Sequence, residues 1–558
     1  MMSFFSFRQQ LASPRLSWQL CFLAIIGGFA ASMLIVLFTF TIKTIQHLYL
    51  TTNDNYTSLD ALSRFDLPIV GALIILFFSW LTGYKYQRTG IPFVLHRLKV
   101  AYGAIPLKNT IHQFIGGAVS LSTGFSVGKE GPVVHLGAAA SSFVGTKLNL
   151  PNNTIRTLCA CGIAAGIAAS FNTPIAAVLF VMEVILREYD IQMFIPIMLA
   201  AIIGSMVTSS VFGVTRDYEF ISQIALTYQD FFILILLGVL IGTFASSFNH
   251  IIIFMIKRFE KFHIFTRLMM AALITGSLGY LVPHAMGTGS SAVAFAMDHH
   301  NHIWFIMSLL AAKFLMTVLV IGLGMPGGLV GPIIGLGAVS GIFGALIINF
   351  IIPGNYIGSD FALIGMAGFM AATLNAPLAA LLTVVELSNQ LEIMLPAMIV
   401  IATACLISGQ LFKNRSVFTM QLDIQNLVYR KPPIETALQR VGVLSQMNQN
   451  FRLIEQHPEN KNQSNNNADH PLVLKTVRDN IVSYQWLEEK SSLLRPIDEP
   501  YCYHKLIPLY NQATLAEAYL LLLHQRDGGV YIYDKDEHNI LGIITFEQIK
   551  AYLLQGKI

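Results

Sequence analysis

Charge is scarce in this chain. Asp, Glu, Lys and Arg make up 12% of its 558 residues, the formal net charge is +4, and no dense basic run occurs. Nothing in that pattern recruits nucleic acid. Only five cysteines are present, Cys21, Cys159, Cys161, Cys405 and Cys502, four of them in apolar segments. Their scatter builds neither a disulfide framework nor a metal-ligand spacing, so free thiols are expected and no cofactor is implied. No nucleophile–base pair stands out, which leaves an enzyme as the least favoured class. A cleaved leader is not expected either. The first apolar run, from residue 18 to about 50, is far longer than a signal-peptide core and reads as a retained transmembrane helix.

What the chain has in abundance is apolar side chains, 54% of its residues with a mean hydropathy of +0.60. That is too apolar for a soluble fold and implies an all-α polytopic membrane protein. Arg8 and Arg15 precede the first span, and Lys85, Arg88, His96, Arg97, Lys99 and Lys108 cluster after the second, at residues 67 to 84. The excess of Lys and Arg places both in the cytoplasm. A multi-pass protein of a bacterial inner membrane, with both termini cytoplasmic, is the expectation. The next apolar segments, 111–127, 133–144, 158–171 and 175–186, fall short of the roughly 20 residues a full span needs, so half-spanning helices are expected. Longer candidates return at 193–212 and 231–255, and the pattern repeats from 268 through 412. About sixteen helical pieces result from the spanning-length rule.

Between two of the apolar runs stands Gly128-Lys129-Glu130-Gly131-Pro132, followed by the helix-compatible Val133-Val134-His135-Leu136. Glycines on both sides free the backbone and expose its N–H groups, and a proline at a first helical position gives up only an N–H that would be unpaired anyway. The pattern builds a helix N-terminus aimed at something negative. Unpaired amides and the positive end of the helix dipole make such a terminus an anion site, used at mid-bilayer by discontinuous membrane helices. Glu130 is then a built-in anion competing with a diffusing one, and intramembrane carboxylates mark functional sites.

The sequence also repeats itself. Ala168-Ala169-Ser170-Phe171-Asn172-Thr173-Pro174-Ile175-Ala176-Ala177 is answered by Ala371-Ala372-Thr373-Leu374-Asn375-Ala376-Pro377-Leu378-Ala379-Ala380, Glu183 by Glu386, and Gly137 by Gly337. Gly128 to Pro132 is answered at nearly the same offset by Gly328-Leu329-Val330-Gly331-Pro332. Two homologous halves follow, and halves built of broken helices commonly lie inverted with the transported ion at their interface. Helix starts at Pro132 and Pro332 would converge on that ion.

These residues carry a family resemblance. From Trp18 to Leu422 the sequence resembles the CLC chloride channels and proton-coupled chloride transporters. Gly128-Lys129-Glu130-Gly131-Pro132 resembles their Gly-Arg/Lys-Glu-Gly-Pro motif, Gly90-Ile91-Pro92 the end of their Gly-Ser-Gly-Ile-Pro motif, and Gly328-Leu329-Val330-Gly331-Pro332 their Gly-x-Phe-x-Pro motif. The resemblance implies a homodimer with one pore per subunit, inverted repeats, and Glu130 as a gate that blocks the pathway when ionised and clears it when protonated. It implies that chloride or a similar small anion binds the backbone amides of Leu329 and Val330, and that the segment Thr89, Gly90 and Ile91 contributes to anion binding.

Three positions depart from the family pattern. Thr89, preceded by Arg88, stands where the family has its anion-coordinating serine, so a hydroxyl survives; it also suits an N-cap before Gly90. Phe418, in Arg415-Ser416-Val417-Phe418-Thr419, falls at the family's pore tyrosine, where that donor is lost; alternatively it is a packed aromatic. Val184 occupies the position of the cytoplasm-facing glutamate that relays protons in coupled members. Valine there implies channel-like transport with weak or absent proton coupling, the alternative being a chloride/proton antiporter with a water route past Val184. Glu183, with its twin Glu386, reads as structural, and Arg187, Glu188 and Asp190 as a solvated turn.

From about residue 422 the composition turns soluble, and 460–469 is an asparagine-rich loop. Ala513 to Ala518 opens an amphipathic helix, Gly529-Val530-Tyr531-Ile532-Tyr533 alternates as a strand, 539–545 reads as a second strand and 546–554 as a closing helix. This order resembles a small α/β CBS module, whose partner module, somewhere in 441–494, is poorly matched. Gln548 follows Thr545 where nucleotide-binding modules carry an acidic residue, which argues against a nucleotide as partner. The expected division is 1–17 as N-terminus, 18–421 as membrane domain (repeats at about 67–213 and 227–412) and 422–558 as regulatory tail. A proton- or cation-coupled organic solute transporter is the alternative of another class, but the interior has almost no second acidic residue to hold a cation.

Overall fold

The computed structural model describes residues 4–83, 90–213, 231–298, 302–351, 358–454, 471–478, 481–489 and 501–554. An N-terminal helix α1 (Phe4–Ala12) precedes a long α2 (Trp18–His47) and α3 (Ala61–Thr82). The first repeat continues with α4 (Gly90–Val100), α5 (Leu107–Ser122), α6 (Glu130–Lys147), α7 (Asn152–Phe171), α8 (Pro174–Phe180) and α9 (Ile191–Phe212). The second follows with α10 (Phe231–Phe259), α11 (Ile264–Leu281), α12 (Ser290–Asp298), α13 (Ile303–Gly322), α14 (Val330–Ile351), α15 (Gly358–Leu374), α16 (Pro377–Ser388), α17 (Met394–Leu406) and α18 (Val417–Ile424). Nine helices among the described residues are long and apolar enough to cross a membrane, and short apolar helices lie between them. The mixture of full and broken spans matches the hydropathy reading, with one difference. α7 runs 20 residues from Asn152, longer than the segment expected from 158, because its first turn is polar and lowers the window average.

The chain forms two compact units. The larger comprises Cys21–Val144 and Arg156–Tyr429. In each of its repeats the pore-motif helix packs on the next helix through glycines. A Cβ at Gly162 would overlap the carbonyl oxygen of Gly137 in α6, and one at Gly365 in α15 would overlap that of Gly337 in α14. Small residues let these backbones approach closely, the usual solution where lipid leaves no hydrophobic drive between helices. Asn172 and Asn375, just before the Pro-led α8 and α16, both adopt positive φ, at 55° and 54°. The matched sequences thus fold to matched turns.

The smaller unit gathers Met1–Leu20, Gly145–Ile155 and Arg430–Ile558. After α19 (Pro433–Leu438) it holds one six-stranded sheet in sequence order: β1 (Arg452–Ile454), β2 (Leu472–Arg478), β3 (Ile481–Glu489), β4 (Tyr501–Tyr510), β5 (Gly529–Tyr533) and β6 (Ile540–Thr545). Helix α20 (Leu515–Leu522) connects β4 to β5 and α21 (Phe546–Leu554) closes the chain. The two expected strands, β5 and β6, pair antiparallel ahead of the closing helix, and β4, which the sequence reading did not include, pairs parallel to β5. β1, β2 and β3 repeat the same parallel-then-antiparallel pairing, so a second module-like half exists that strand alternation alone did not reveal. Thr545 and Gln548 cap each other: the Thr545 N–H donates to Oε1 of Gln548 (2.9 Å) and the Gln548 N–H to Oγ1 of Thr545 (3.2 Å). The N-terminal helix belongs to this unit too, since buried Arg8 donates to Oδ1 of Asn511 at 2.7 Å.

Candidate functional site

The two glycine motifs meet each other. The Gly128 N–H donates to the carbonyl of Gly328 at 2.7 Å, and the Gly328 N–H to the carbonyl of Gly128 at 2.6 Å, an antiparallel bridge between residues 200 positions apart. This exchange uses up the Gly128 and Gly328 amides and holds the starts of α6 and α14 close to one another. It also requires glycine: a Cβ on Gly131 would come within 2.8 Å of the Gly327 oxygen and the Gly328 Cα. The helices begin two residues earlier than expected, at Glu130 and Val330. Pro132 and Pro332 are therefore third rather than first, still inside the initial turn whose N–H groups lack intrahelical partners.

Glu130 is 4% exposed. Its carboxylate lies against the backbone N–H of Gly331, in the first turn of α14, and its Oε2 has no hydrogen-bond partner. A side-chain anion of the first repeat thus sits at the helix N-terminus of the second. Two cavities lie near it. One, of about 180 Å³, is lined by Gly90, Ile91 and Pro92 of α4, by Gly131, Gly328 and Leu329, and by Phe418 of α18. The other, of about 30 Å³, is bounded by Glu130 itself with Val330, Phe171, Thr173, Phe180 and Thr383. That is enough for a water or two, given that one needs roughly 10–15 Å³ by this measure.

The structure therefore brings Gly90, Ile91, Leu329 and Phe418 around one chamber and Val330 with Glu130 around the next. Thr89 lies outside the described residues. Lys129 turns away, its Nζ donating to the Ser170 carbonyl at 2.9 Å and lying 4.2 Å over the Phe171 ring. Val184 is buried and lines neither cavity. Glu183 caps α16, its carboxylate accepting the N–H groups of Leu378 and Ala379 at 3.3 and 2.7 Å, in line with the structural reading. The solvated turn expected at Glu188 is corrected. Its carboxylate accepts from Nη2 of Arg156 at 3.1 Å and from Nζ of Lys99 at 3.3 Å, with only 13% of the side chain exposed. The π-helical stretch Val181–Leu186 ends on Arg187 in the left-handed region and turns the chain inward, so Glu188 meets cations distant in sequence.

Sequence reasoning missed four polar side chains on the larger cavity, Glu260, Arg267, Gln421 and Gln425. The two glutamines had a signal, since they lie three and seven positions after Phe418 and so share its helix face. It missed two charged anchors as well. Asp54 accepts from the Thr288 N–H and the hydroxyls of Thr288 and Ser290, while Nζ of Lys313 donates to the carbonyls of Ala285 and Gly287 at 3.0 and 2.7 Å. Together they pin the turn before α12.

Residues 70–409 match the family model described as voltage gated chloride channel. This chain belongs to that family. A curated relative is the H(+)/Cl(-) exchange transporter ClcA of Vibrio cholerae serotype O1 (strain M66-2), 30% identical over 56% of this chain and 68% of its own length. Among solved structures, a slow cyanobacterial Cl-/H+ antiporter superposes with a TM-score of 0.65 at 20% identity, over 74% of this chain and 99% of its own. A eukaryotic CLC transporter superposes with a TM-score of 0.60 at 19% identity, over 95% of this chain and 97% of its own. The CLC fold thus extends through the tail, and the chain is a multi-pass membrane protein of that family with a CBS-like C-terminal sheet.

Proposed function

We propose that this chain carries chloride or a similar small anion across a membrane, one pathway per subunit of a homodimer, with Glu130 as the gate. One observation carries the reading. The Glu130 carboxylate sits at the N-terminus of α14 and borders the smaller cavity, while its neighbour Gly131 borders the larger, so that it occupies a helix terminus an anion could otherwise use. An ionised carboxylate there excludes the diffusing anion, whereas protonation removes both its charge and its claim on the amides. Gly90, Ile91, Leu329, Val330 and Phe418 would line the path around it, with Thr89 adjoining, and the membrane would be a bacterial inner membrane with both termini in the cytoplasm. An organic solute transporter fits less well, because helix N-termini favour anions.

Transport is channel-like in this reading. A buried valine at 184 offers no titratable stop where a coupled mechanism needs one. Exchange for protons is the second reading, favoured by the relative at 30% identity being an H(+)/Cl(-) exchange transporter; protons would then pass Val184 along water. The gate is tested in liposomes with chloride as the only permeant ion. Wild-type flux is expected to rise as pH falls, and Glu130→Gln to flatten that response. Unchanged rate and pH response in the variant would remove Glu130 from the gate.

A further inference from the structure

Glu130 meets a glycine that is itself backed by a turn from elsewhere in the fold. Gly331, whose N–H faces the Glu130 carboxylate, is closely enclosed: a Cβ there would lie 3.1 Å from Oε1 of Glu130 and equally 3.1 Å from the Thr288 carbonyl oxygen. The next residue of that turn, Gly289, has a φ of +120°, and a Cβ on it would come within 3.2 Å of the Gly331 carbonyl oxygen. The residue before, Gly287, reaches the other repeat, its N–H donating to the Gly124 carbonyl at 3.1 Å. Residues 287–289 are thus wedged between the loop ahead of α6 and the first turn of α14. Two charged side chains hold them there. Asp54, in the loop between α2 and α3, accepts the Thr288 N–H at 3.1 Å and the hydroxyls of Thr288 and Ser290 at 2.5 and 2.8 Å. Fully buried Lys313 of α13 donates to the carbonyls of Ala285 and Gly287 at 3.0 and 2.7 Å. The Asp54 loop is tied down in turn by the Tyr56 hydroxyl, 2.9 and 3.0 Å from the Leu121 and Ser122 carbonyls at the end of α5.

We infer that Asp54 is a positioning residue for the Glu130 gate, acting through Thr288 to hold the first turn of α14 where the Gly331 N–H meets the Glu130 carboxylate. The inference rests on the reading of Glu130 as the gate. Its physical ground is rigidity. Glycines at positive φ leave a turn free to rearrange, and a carboxylate that accepts charge-assisted bonds from a backbone N–H and two hydroxyls fixes it more firmly than neutral partners do. A hydrogen bond to the ionised form of an acid favours that form, so the balance at Glu130 depends on how steadily Gly331 presents its N–H. Without the hold of Asp54 the turn and Gly331 relax together, the ionised carboxylate loses part of its donor, and the protonated, open form is favoured. Two effects then differ in sign. Mechanical release raises the pH at which the gate opens, whereas loss of the Asp54 charge alone, leaving Lys313 uncompensated, lowers it. Among the described residues the other charged or titratable groups facing the two carboxylates are Lys129 beside Glu130, and Lys313 and Tyr56 beside Asp54. The residues that line the smaller cavity with Glu130 add no titratable side chain.

The test records chloride flux against pH in liposomes for full-length wild type, Asp54→Asn and Thr288→Val, each also in a Glu130→Gln background. Asp54→Asn should move the midpoint of the flux–pH curve upward by about one pH unit, the order of one partly lost hydrogen bond to a charged group. Thr288→Val, which keeps every charge, should move it upward by less. In the Glu130→Gln background neither substitution should change the pH response further, because a residue that acts through the gate has nothing left to act on. A merely structural Asp54 would lower the melting temperature and the maximal rate alike in both backgrounds and leave the pH midpoint unmoved; that result overturns the assignment. A downward move in Asp54→Asn with none in Thr288→Val would mean that charge alone acts, and overturns it too. Infrared difference spectra of the purified protein separate this inference from the transport reading. The protonated-carboxyl band that Glu130→Gln abolishes reports the titration of Glu130 without any flux. If wild type passes no chloride yet Asp54→Asn moves the titration of that band upward, the gate reading falls and the positioning role stands. A band that titrates identically in both overturns the positioning role. Should Asp54→Asn fail to fold, Thr288→Val decides on the same band: an upward move supports the role, and no move overturns it.

Discussion

Glu183 and Glu386 cap each other's helices. Glu183 receives the N–H groups of Leu378 and Ala379 at the start of α16, and Glu386 receives those of Ile175 and Ala176 at the start of α8, at 3.1 and 2.7 Å. Residue i of one half meets residue j of the other and the reverse contact also holds, which is the mark of a two-fold axis. The reciprocal bridge of Gly128 and Gly328 lies on the same relation. Two exchanges of this kind clamp the halves of the membrane unit around Glu130, bringing the helix starts at Glu130 and Val330 together.

The clamp should be worth measurable stability. Glu386→Ala leaves two helix-terminal N–H groups without their carboxylate, each such charge-assisted bond contributing about 1.5–3 kcal/mol when buried and less where solvent reaches it. A loss of about 2 kcal/mol is expected, with Glu386→Gln retaining much of it. Thermal melts of the detergent-solubilised protein check this; equal midpoints for wild type and Glu386→Ala would show that the caps are incidental.

Phe418→Tyr should tighten anion binding. Phe418 lines the larger cavity together with Leu329, and a tyrosine hydroxyl would add one neutral donor, worth about 0.5–1.5 kcal/mol, or at most roughly tenfold in affinity. Chloride titration calorimetry on the variant reads the change directly. No gain would mean that the ring is a packed aromatic outside the path.

Proton coupling is decided by electrophysiology. With chloride equal on both sides and a pH gradient imposed, the reversal potential of reconstituted protein should stay at the chloride equilibrium value, because Val184 provides no proton stop. A shift that follows the pH gradient would establish exchange and refute the channel-like reading. In that event Val184→Glu should strengthen the coupling.

Truncation after Val441 should leave an active membrane unit. Within the smaller unit the cut removes the bonds from the Asn152 N–H to the Gln512 carbonyl (2.8 Å) and from the Gln512 amide to the Leu150 carbonyl (3.0 Å), so a modest fall in thermal midpoint is expected. Chloride flux should persist with altered regulation. A stable but inactive truncation would show that the tail is part of the transport machinery.

By itself the sequence determined the properties that depend on neighbours along the chain. The apolar runs settled the membrane class, strand alternation and helical periodicity placed β5, β6 and α21, and the matched Asn-Pro-Glu and glycine motifs revealed two halves and singled out Glu130. Those signals survive because hydropathy, turn chemistry and helix starts are local. Only the tertiary structure decided which backbone amides are used up between Gly128 and Gly328, that Glu183 caps the other half, that Glu188 is held by Lys99 and Arg156 instead of water, and that Arg267 faces the chamber of Phe418. Each of these joins groups from separate segments, 32 to 211 positions apart where hydrogen bonds define them. Such pairings follow from how helices pack in lipid, where close glycine contacts and unmet polar groups, and not the spacing of residues along one segment, select the partners.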